Sequence, residues 1–493
     1  MELPVTRHPP PSIQSILSKG LFPAIILASA VLRLVNLGKQ SLWFDETYTA
    51  YVARQAPERM IQFLVTDGVH PPLYYCFMAV WIRIFGDSEW ILRLPSAVCG
   101  VLAVLILYLL VTRTAGKPEA VLAAALAGFS PFLTWYSQDA RMYSMECAAA
   151  VLAAYGFWLF LEHSDWKCVL GLILSHAVLY GIHYFGFFLF LAEFLFLVLF
   201  WRRHLRRWIP FLAAQAVAFL PLIIWGYVLL HRINGTFGIG WIPKPVWADP
   251  FATMANFFSA SGGVWNLQAI TGLAAVAALL VLSLRVRHLK ETVVFSVFWL
   301  FIPIVLAWIV SQTLPVYIDR YLILALPPAA ILVAIGARSI RGGMRLALPG
   351  VLFLAMVPGI WNMNAPTEMY RKEDWRRASE SIRDQFQPGD LLLLRVYQEA
   401  VPFGYYGLLD RDWRPLETNG ALDLAEIGGD IRMCYLVYWF PAQSAHTFGT
   451  EVPETYAEGD PDVREWIEEN LVPVREESAF NGVVVLIMEP RRR

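Results

Sequence analysis

The chain has 493 residues and a formal net charge of −1; 57% of its residues are hydrophobic and 16% charged, against about 25% charged in an average soluble protein. With a mean hydropathy of +0.50, this composition excludes a purely soluble chain, a disordered one, a collagen and a disulfide scaffold. The near-zero charge conceals two opposed parts: 25 basic and 16 acidic residues precede Asn364, whereas 14 basic and 24 acidic residues follow it.

The N-terminus, with Pro4, Pro9, Pro10 and Pro11 ahead of the first apolar run, lacks the short apolar core and small-residue cleavage site of a signal peptide. Residues 21–38 therefore read as a retained first span. Further apolar segments lie at 94–112, 119–135, 142–161, 168–181, 185–201, 208–230, 267–284, 292–311, 321–337 and 346–363. The expectation is a polytopic α-helical membrane protein of eleven spans. The stretch 72–86, PLYYCFMAVWIRIFG, is shorter than the roughly 20 residues a span needs and carries Arg83; it reads as a twelfth span or as a helix at the membrane surface.

Basic residues concentrate in loops on the cytoplasmic side. Eleven spans and an inside N-terminus place Arg113, Lys117, Lys167, Arg202, Arg203, Arg206, Arg207, Arg285, Arg287, Lys290, Arg338, Arg341 and Arg345 in inside loops. The outside loops are then 39–93, 136–141, 182–184, 231–266 and 312–320, with the acidic tail outside as well. The chain thus divides into a transmembrane domain, 1–363, and a soluble extracytoplasmic α/β domain, 364–493. In that tail, EDWRRASESIRDQF repeats Trp375, Ala378, Ile382 and Phe386 at helical spacing, and the runs DLLLLRVY, RMCYLVYW and GVVVLIME read as buried strands. Gln387, Pro388 and Gly389 mark a turn between helix and first strand. Cys434 is the tail's one cysteine, so no disulfide forms within it and the redox compartment stays open. There is no internal repeat or low-complexity tract, and no nucleic-acid partner is expected.

Chemistry-bearing residues gather in the outside loops. Asp45 and Glu46, in SLWFDETYTA, read either as a solvated helix start or as catalytic carboxylates. His70 precedes Pro71 and Pro72, which fix its backbone; such an imidazole binds metal, pairs with phosphate, shuttles protons or is simply hydrogen-bonded. Arg33, near the outer end of the first span, orients Asp45, contacts the donor phosphate or snorkels. His183 and Tyr184 line a site or merely sit at the interface. Glu193, near the middle of a span, is costly there, and pairing with His176 is the simpler account. Lys244, in GWIPKPVW, reaches a phosphate or anchors at the interface with Trp241 and Trp247. Arg320, beside Tyr321, holds a phosphate or snorkels.

Taken in order, WFDETY, HPPLYY and FGDSEWILRLPSA resemble the GT-C superfamily of polytopic glycosyltransferases, in its family 39-like group, related to protein O-mannosyltransferases and to the aminoarabinose transferases that modify lipid A. The resemblance continues in SQDARMYSM, IDRYLILALPP and KEDWRRAS and covers nearly the whole chain. It implies Asp45 as catalytic base with Glu46 beside it, Asp139 and Arg141 as site residues of the second outside loop, and His70 as a donor or metal contact. His70 stands where the aminoarabinose group has lysine, which disfavours an aminoarabinose donor. Some relatives use a divalent cation, and Asp45, His70 and Asp139 are the candidate ligands; no close spacing such as HxxxH supports them.

The implied activity is inverting transfer from a polyprenyl phosphate sugar, at the outer side of the cytoplasmic membrane, to a lipid, glycan or protein acceptor. A neutral alcohol needs a base, and a departing phosphate needs cations; Asp45 serves as the first, and Arg141 and Arg320 as the second. Without a P-loop, ATP-driven work is not expected. The alternative class is a flippase or secondary transporter for lipid-linked sugars, although such proteins usually show paired repeats and broken helices near the midplane.

Overall fold

The computed structural model describes residues 13–163, 165–232, 242–260, 265–342, 344–364, 372–394, 397–415, 431–439, 469–481 and 483–491. Every one of the eleven apolar segments lies on helix: Ile13–Leu34, Glu89–Thr114, Lys117–Gly128 with Pro131–Ser137, Tyr143–Glu162, Trp166–Ile182, Gly186–Leu199, Trp208–Arg232, Leu267–Ser283, Lys290–Val310, Asp319–Arg338 and Met344–Asn364. By length and composition, five helices among the described residues can cross a membrane, or six if a bent pair counts as one. The molecule is a multi-pass helical membrane protein. Trp166–Ile182, Gly186–Leu199 and Leu267–Ser283 are among the shorter apolar helices.

One element differs from the sequence reading. The segment expected as one span over 119–135 is two helices meeting at 58°. Pro131 has no amide hydrogen and disfavours helical backbone in the residue before it, so the first helix ends at Gly128 and Ser130 caps a second, its Oγ accepting from Leu133 N at 3.1 Å. The ambiguous stretch 72–86 is the Leu73–Phe85 helix of 13 residues, about 20 Å at 1.5 Å per residue and short of a hydrocarbon core of about 30 Å. Its Phe77, Val80, Ile84 and Phe85 are exposed.

The loop after the first span is mostly helical. Phe44–Arg54 is followed by Pro57–Asp67, which ends at Gly68 in the left-handed conformation (φ 64°) that glycine accepts without strain. The chain then passes through His70, with Pro72 capping Leu73–Phe85. Deeper in the bundle, the Leu326–Arg338 helix, buried from Leu326 to Ala337, lies so close to Leu267–Ser283 that a Cβ on Gly336 would overlap the Leu279 backbone.

The described part of the tail is a five-stranded sheet with the Trp375–Gln385 helix and the short Ala400–Tyr405 helix against it. The strands are β1 (Leu391–Leu394), β2 (Trp413–Pro415), β3 (Cys434–Trp439), β4 (Leu471–Phe480) and β5 (Val483–Pro490), in the order β2-β1-β3-β5-β4. β1 pairs parallel with β2 and β3, whereas β5 pairs antiparallel with β3 and β4. Trp375, Ala378 and Ile382 of the Trp375–Gln385 helix pack with Leu392, Leu394, Tyr435 and Val437 on one face; Leu391, Leu393, Cys434 and Leu436 form the core of the other. Burial on both faces explains an uninterrupted LLLL run. β2 and β4 were not foreseen, because both are edge strands and β4, LVPVREESAF, carries the proline and charges typical of an edge.

Candidate active site

Phe44–Arg54 starts at Trp43 with two carboxylates in its first turn, where the helix dipole favours them. Glu46 reaches back so that its Oε2 accepts from Trp43 N at 3.3 Å. The same carboxylate takes two 2.6 Å hydrogen bonds from Arg93 Nε and Nη2, one of 2.8 Å from Ala140 N, and an ion pair of 3.0 Å with Lys372 Nζ. Arg93 spends its remaining donors on the carbonyls of Leu37, Gln40 and Ser41. Burial pushes the Glu46 carboxyl up, but Arg93 and Lys372 outweigh it and hold the group at about 2. The expectation that Glu46 shares the chemistry is therefore corrected: it is wholly enclosed, and both its oxygens are committed to the scaffold.

Asp45 is the exposed member of the pair, with 23% of its side chain accessible. Its Oδ2 lies 3.8 Å from Arg141 Nε and 3.9 Å from Arg320 Nη2. These are charge contacts longer than hydrogen bonds. Arg141 sits between Asp45 and His70: its Nη1 donates to Tyr75 Oη at 3.1 Å and its Nη2 to His70 Nε2 at 3.1 Å. Because a guanidinium only donates, His70 Nε2 is the acceptor and Nδ1 carries the proton. Burial, then Arg141, His183 and Arg320, push the His70 imidazole well below its usual value, so it is neutral. Arg320 also lies over the rings of Trp43, Tyr143 and Tyr321, at 5.5–5.8 Å. It is 6% exposed, which removes the snorkelling alternative for it.

His183 and Tyr321 close the set on the His70 side. Ring centroids are 5.3 Å apart for His70 and His183 and 5.1 Å for His183 and Tyr321. Burial and then Arg141 push the His183 imidazole down to about 3. The Glu146 carboxylate, absent from the sequence reading, lies 3.4 Å from His183 Nδ1. Asp139 is buried beside this group rather than open to it: its Oδ1 accepts from Trp43 Nε1 at 2.7 Å and from Lys372 Nζ at 3.2 Å. Burial pushes the Asp139 carboxyl up to about 6 against the pull of Lys372.

Asp45, His70 and Asp139 do not converge as metal ligands. Arg141 stands between the first two, and Trp43 and Lys372 occupy Asp139; no group of three His, Cys, Asp or Glu side chains among the described residues is placed to hold an ion. The residues do not fit a shared cation.

Arg33 neither snorkels nor joins Asp45 by hydrogen bond or ion pair. It is wholly buried and donates to Ser137 Oγ, Ser29 Oγ and the carbonyls of Ser29 and Gly128, tying the first helix to the broken pair. Lys244 is exposed, on a segment held by Trp308 and Gln312 through the carbonyls of Val246 and Pro245, away from the Asp45 group in every polar contact among the described residues; Trp241 lies outside the described residues. Glu193 Oε2 lies within hydrogen-bond distance of His176 Nε2, at 2.9 Å, as the pairing account expected, and Gln215 completes the set.

Sequence reasoning missed Lys372, Glu373, Arg93, Asp67 and Glu146. Arg93 and Glu146 carried a usable signal, being ionisable groups within apolar runs. Asp67, pushed up to about 6 mainly by burial, lies within electrostatic reach of Arg141 and Asp45. Lys372 and Glu373 open the KEDWRRAS motif, but their roles were not legible, because the Asp139 side chain and the Phe44 amide they hold are more than 200 residues away.

Residues 69–225 match the sequence model of the dolichyl-phosphate-mannose-protein mannosyltransferases, a stretch that includes His70, Asp139, Arg141 and His183 but begins after Asp45. YkcB of Bacillus subtilis (strain 168), a candidate mannosyltransferase, is 31% identical over 120 residues, 22% of this chain and 16% of its own length; the match thus spans about a sixth of that relative. ArnT from Cupriavidus metallidurans in the apo state superposes with a TM-score of 0.58 at 13% identity, covering 95% of this chain and 98% of ArnT. ArnT from the same organism bound to undecaprenyl phosphate gives 0.57 at 12% identity over the same shares.

Proposed function

We propose that this chain, which has the fold of the GT-C glycosyltransferases, is an inverting glycosyltransferase that takes a sugar from a polyprenyl phosphate carrier at the outer side of the cytoplasmic membrane. The fold likeness to ArnT, solved with undecaprenyl phosphate, and the sequence match to mannosyltransferases support the class. One observation carries the site: a part-exposed carboxylate, Asp45, faces two buried arginines, Arg141 and Arg320, contributed by three distant stretches of chain.

In this reading an acceptor hydroxyl oxygen attacks the anomeric carbon while the bond from that carbon to the phosphate oxygen breaks. Asp45 takes the hydroxyl proton, and the electron pair leaves with the polyprenyl phosphate. The leaving group gains a negative charge, which Arg141 and Arg320 stabilise. His70, neutral and held by Arg141, orients that guanidinium and offers its Nδ1 hydrogen to the donor. The acceptor is a lipid, a glycan or a protein hydroxyl, and the acidic tail covers the site or meets the acceptor.

The test supplies native membranes with a panel of labelled polyprenyl phosphate sugars, comparing wild type and Asp45→Asn at equal folded levels. Loss of a general base predicts a fall of about 10²–10⁴-fold in transfer. Undiminished transfer by the variant removes Asp45 from the role, and flipping without transfer by wild type replaces the enzyme reading with the transporter one.

A further inference from the structure

We infer that Lys372 and Glu373, from the chain stretch leading into the tail's sheet, are positioning residues that set the geometry of the helix carrying Asp45 against the loop carrying Arg141. The inference rests on the reading of Asp45 as the base.

The first amides of a helix have no partner within it. Phe44–Arg54 begins after Trp43, whose indole only donates and whose Nε1 is already given to Asp139. Phe44 N, one residue before Asp45, instead donates to Glu373 Oε2 at 3.0 Å. Trp375 Nε1 donates to the same oxygen at 2.8 Å, which fixes the carboxylate against the start of the next helix. The cap of the helix presenting Asp45 is thus borrowed from a residue 329 positions later.

Lys372 makes the second tie. Its ammonium lies 3.0 Å from Glu46 Oε2, 3.2 Å from Asp139 Oδ1 and 3.0 Å from the Gln138 carbonyl oxygen. Glu46 follows Asp45 in the chain, and Asp139 precedes Arg141 by two. One buried cation therefore pins both sides of the Asp45–Arg141 contact. Gln40 Oε1 accepts from Lys372 N at 2.8 Å, and Asn481 Nδ2 donates to Lys372 O at 3.1 Å, so the lysine backbone is held between the first loop and the sheet. Lys372 acts through Glu46 and Asp139, and Glu373 through the Phe44 amide.

The experiment uses the full chain in native membranes with whichever labelled polyprenyl phosphate sugar wild type consumes, at saturating donor and equal folded protein. Glu373→Ala removes the cap and predicts a fall in kcat of about 10²-fold, with donor KM within about twofold, as expected for misplacement by about 1 Å. Glu373→Gln keeps an acceptor oxygen and restores kcat to within about threefold of wild type, while Glu373→Asp, one carbon shorter, falls about tenfold. Lys372→Met lowers kcat with the same unchanged KM. If Glu373→Ala does not accumulate, the Asp and Gln variants decide.

Wild-type kcat in Glu373→Asp and Lys372→Met, with only a lowered unfolding midpoint, overturns the positioning role and leaves Asp45 as base. Surviving transfer in Asp45→Asn, or no transfer by wild type from any donor, overturns the reading of Asp45 and this inference with it.

Discussion

Asp45 and Glu46 are neighbours of the same charge with opposite fates. Their directions on the helix differ, so one faces two arginines at an open edge and the other is sealed among five donors. Ionic neutralisation of a buried carboxylate is costly to undo, because removing one partner leaves an uncompensated charge. Arg93→Met is therefore expected to destabilise the folded protein by about 3–5 kcal/mol, read as a shift of midpoint in an SDS-unfolding titration, and to abolish transfer by unseating Phe44–Arg54. A shift below about 1 kcal/mol would mean that Lys372 alone neutralises Glu46. The acidic pair itself was legible in the sequence, and so were Arg141 and Arg320 as cations near it. The division of labour within the pair was not, because it depends on which side of one helix turn meets Arg93.

Helices here are bounded by local chemistry and packed by small residues. The break at Ser130–Pro131, missed when the segment was read as one span, places Ser137 where it meets Arg33 and directs the following loop, with Asp139 and Arg141, toward Asp45. Gly100 clears space for that contact, since a Cβ there would overlap Ser137 and the Arg33 guanidinium. Gly336→Leu tests the tightest helix pair: overpacking against the Leu279 backbone is expected to cost about 1–3 kcal/mol, with transfer per folded molecule preserved because the position is remote from Asp45 in sequence and contacts. Unchanged stability would show that the two helices slide apart freely. The strands at β1, β3 and β5 were visible as apolar runs, whereas the edge strands carried too little apolar signal to be seen.

The whole molecule joins a helical bundle to a sheet through a polar seam. Arg376 and Tyr406 both bind Glu89, Tyr406 Oη accepts from Leu42 N at 2.9 Å, and Tyr405 donates to the Asp87 carbonyl. Buried imidazoles give this assembly a pH response. His183, pushed down to about 3 by burial and then Arg141, stays neutral in the fold while the unfolded chain takes up a proton near 6.5. Stability from this group is complete above pH 6.5 and is lost progressively as pH falls toward 3. Asp139, raised to about 6, works the other way, costing stability as pH rises from 3.8 to 6. His183→Gln, which cannot charge, is expected to show a flatter unfolding midpoint between pH 6.5 and 4 than wild type; parallel curves would show that His183 is protonated in the fold.

The sequence by itself determined the membrane class, the positions of the apolar segments and part of the residue set of the candidate site, because hydropathy, proline and charge act over a few neighbouring residues. Only the tertiary structure decided that Glu46, Arg33 and Asp139 are enclosed, that His70 serves Arg141, and that Lys372 and Glu373 reach back to the first loop. Those outcomes depend on contacts across as many as 332 positions, and no local pattern in a single chain encodes which distant partner a buried charge will find.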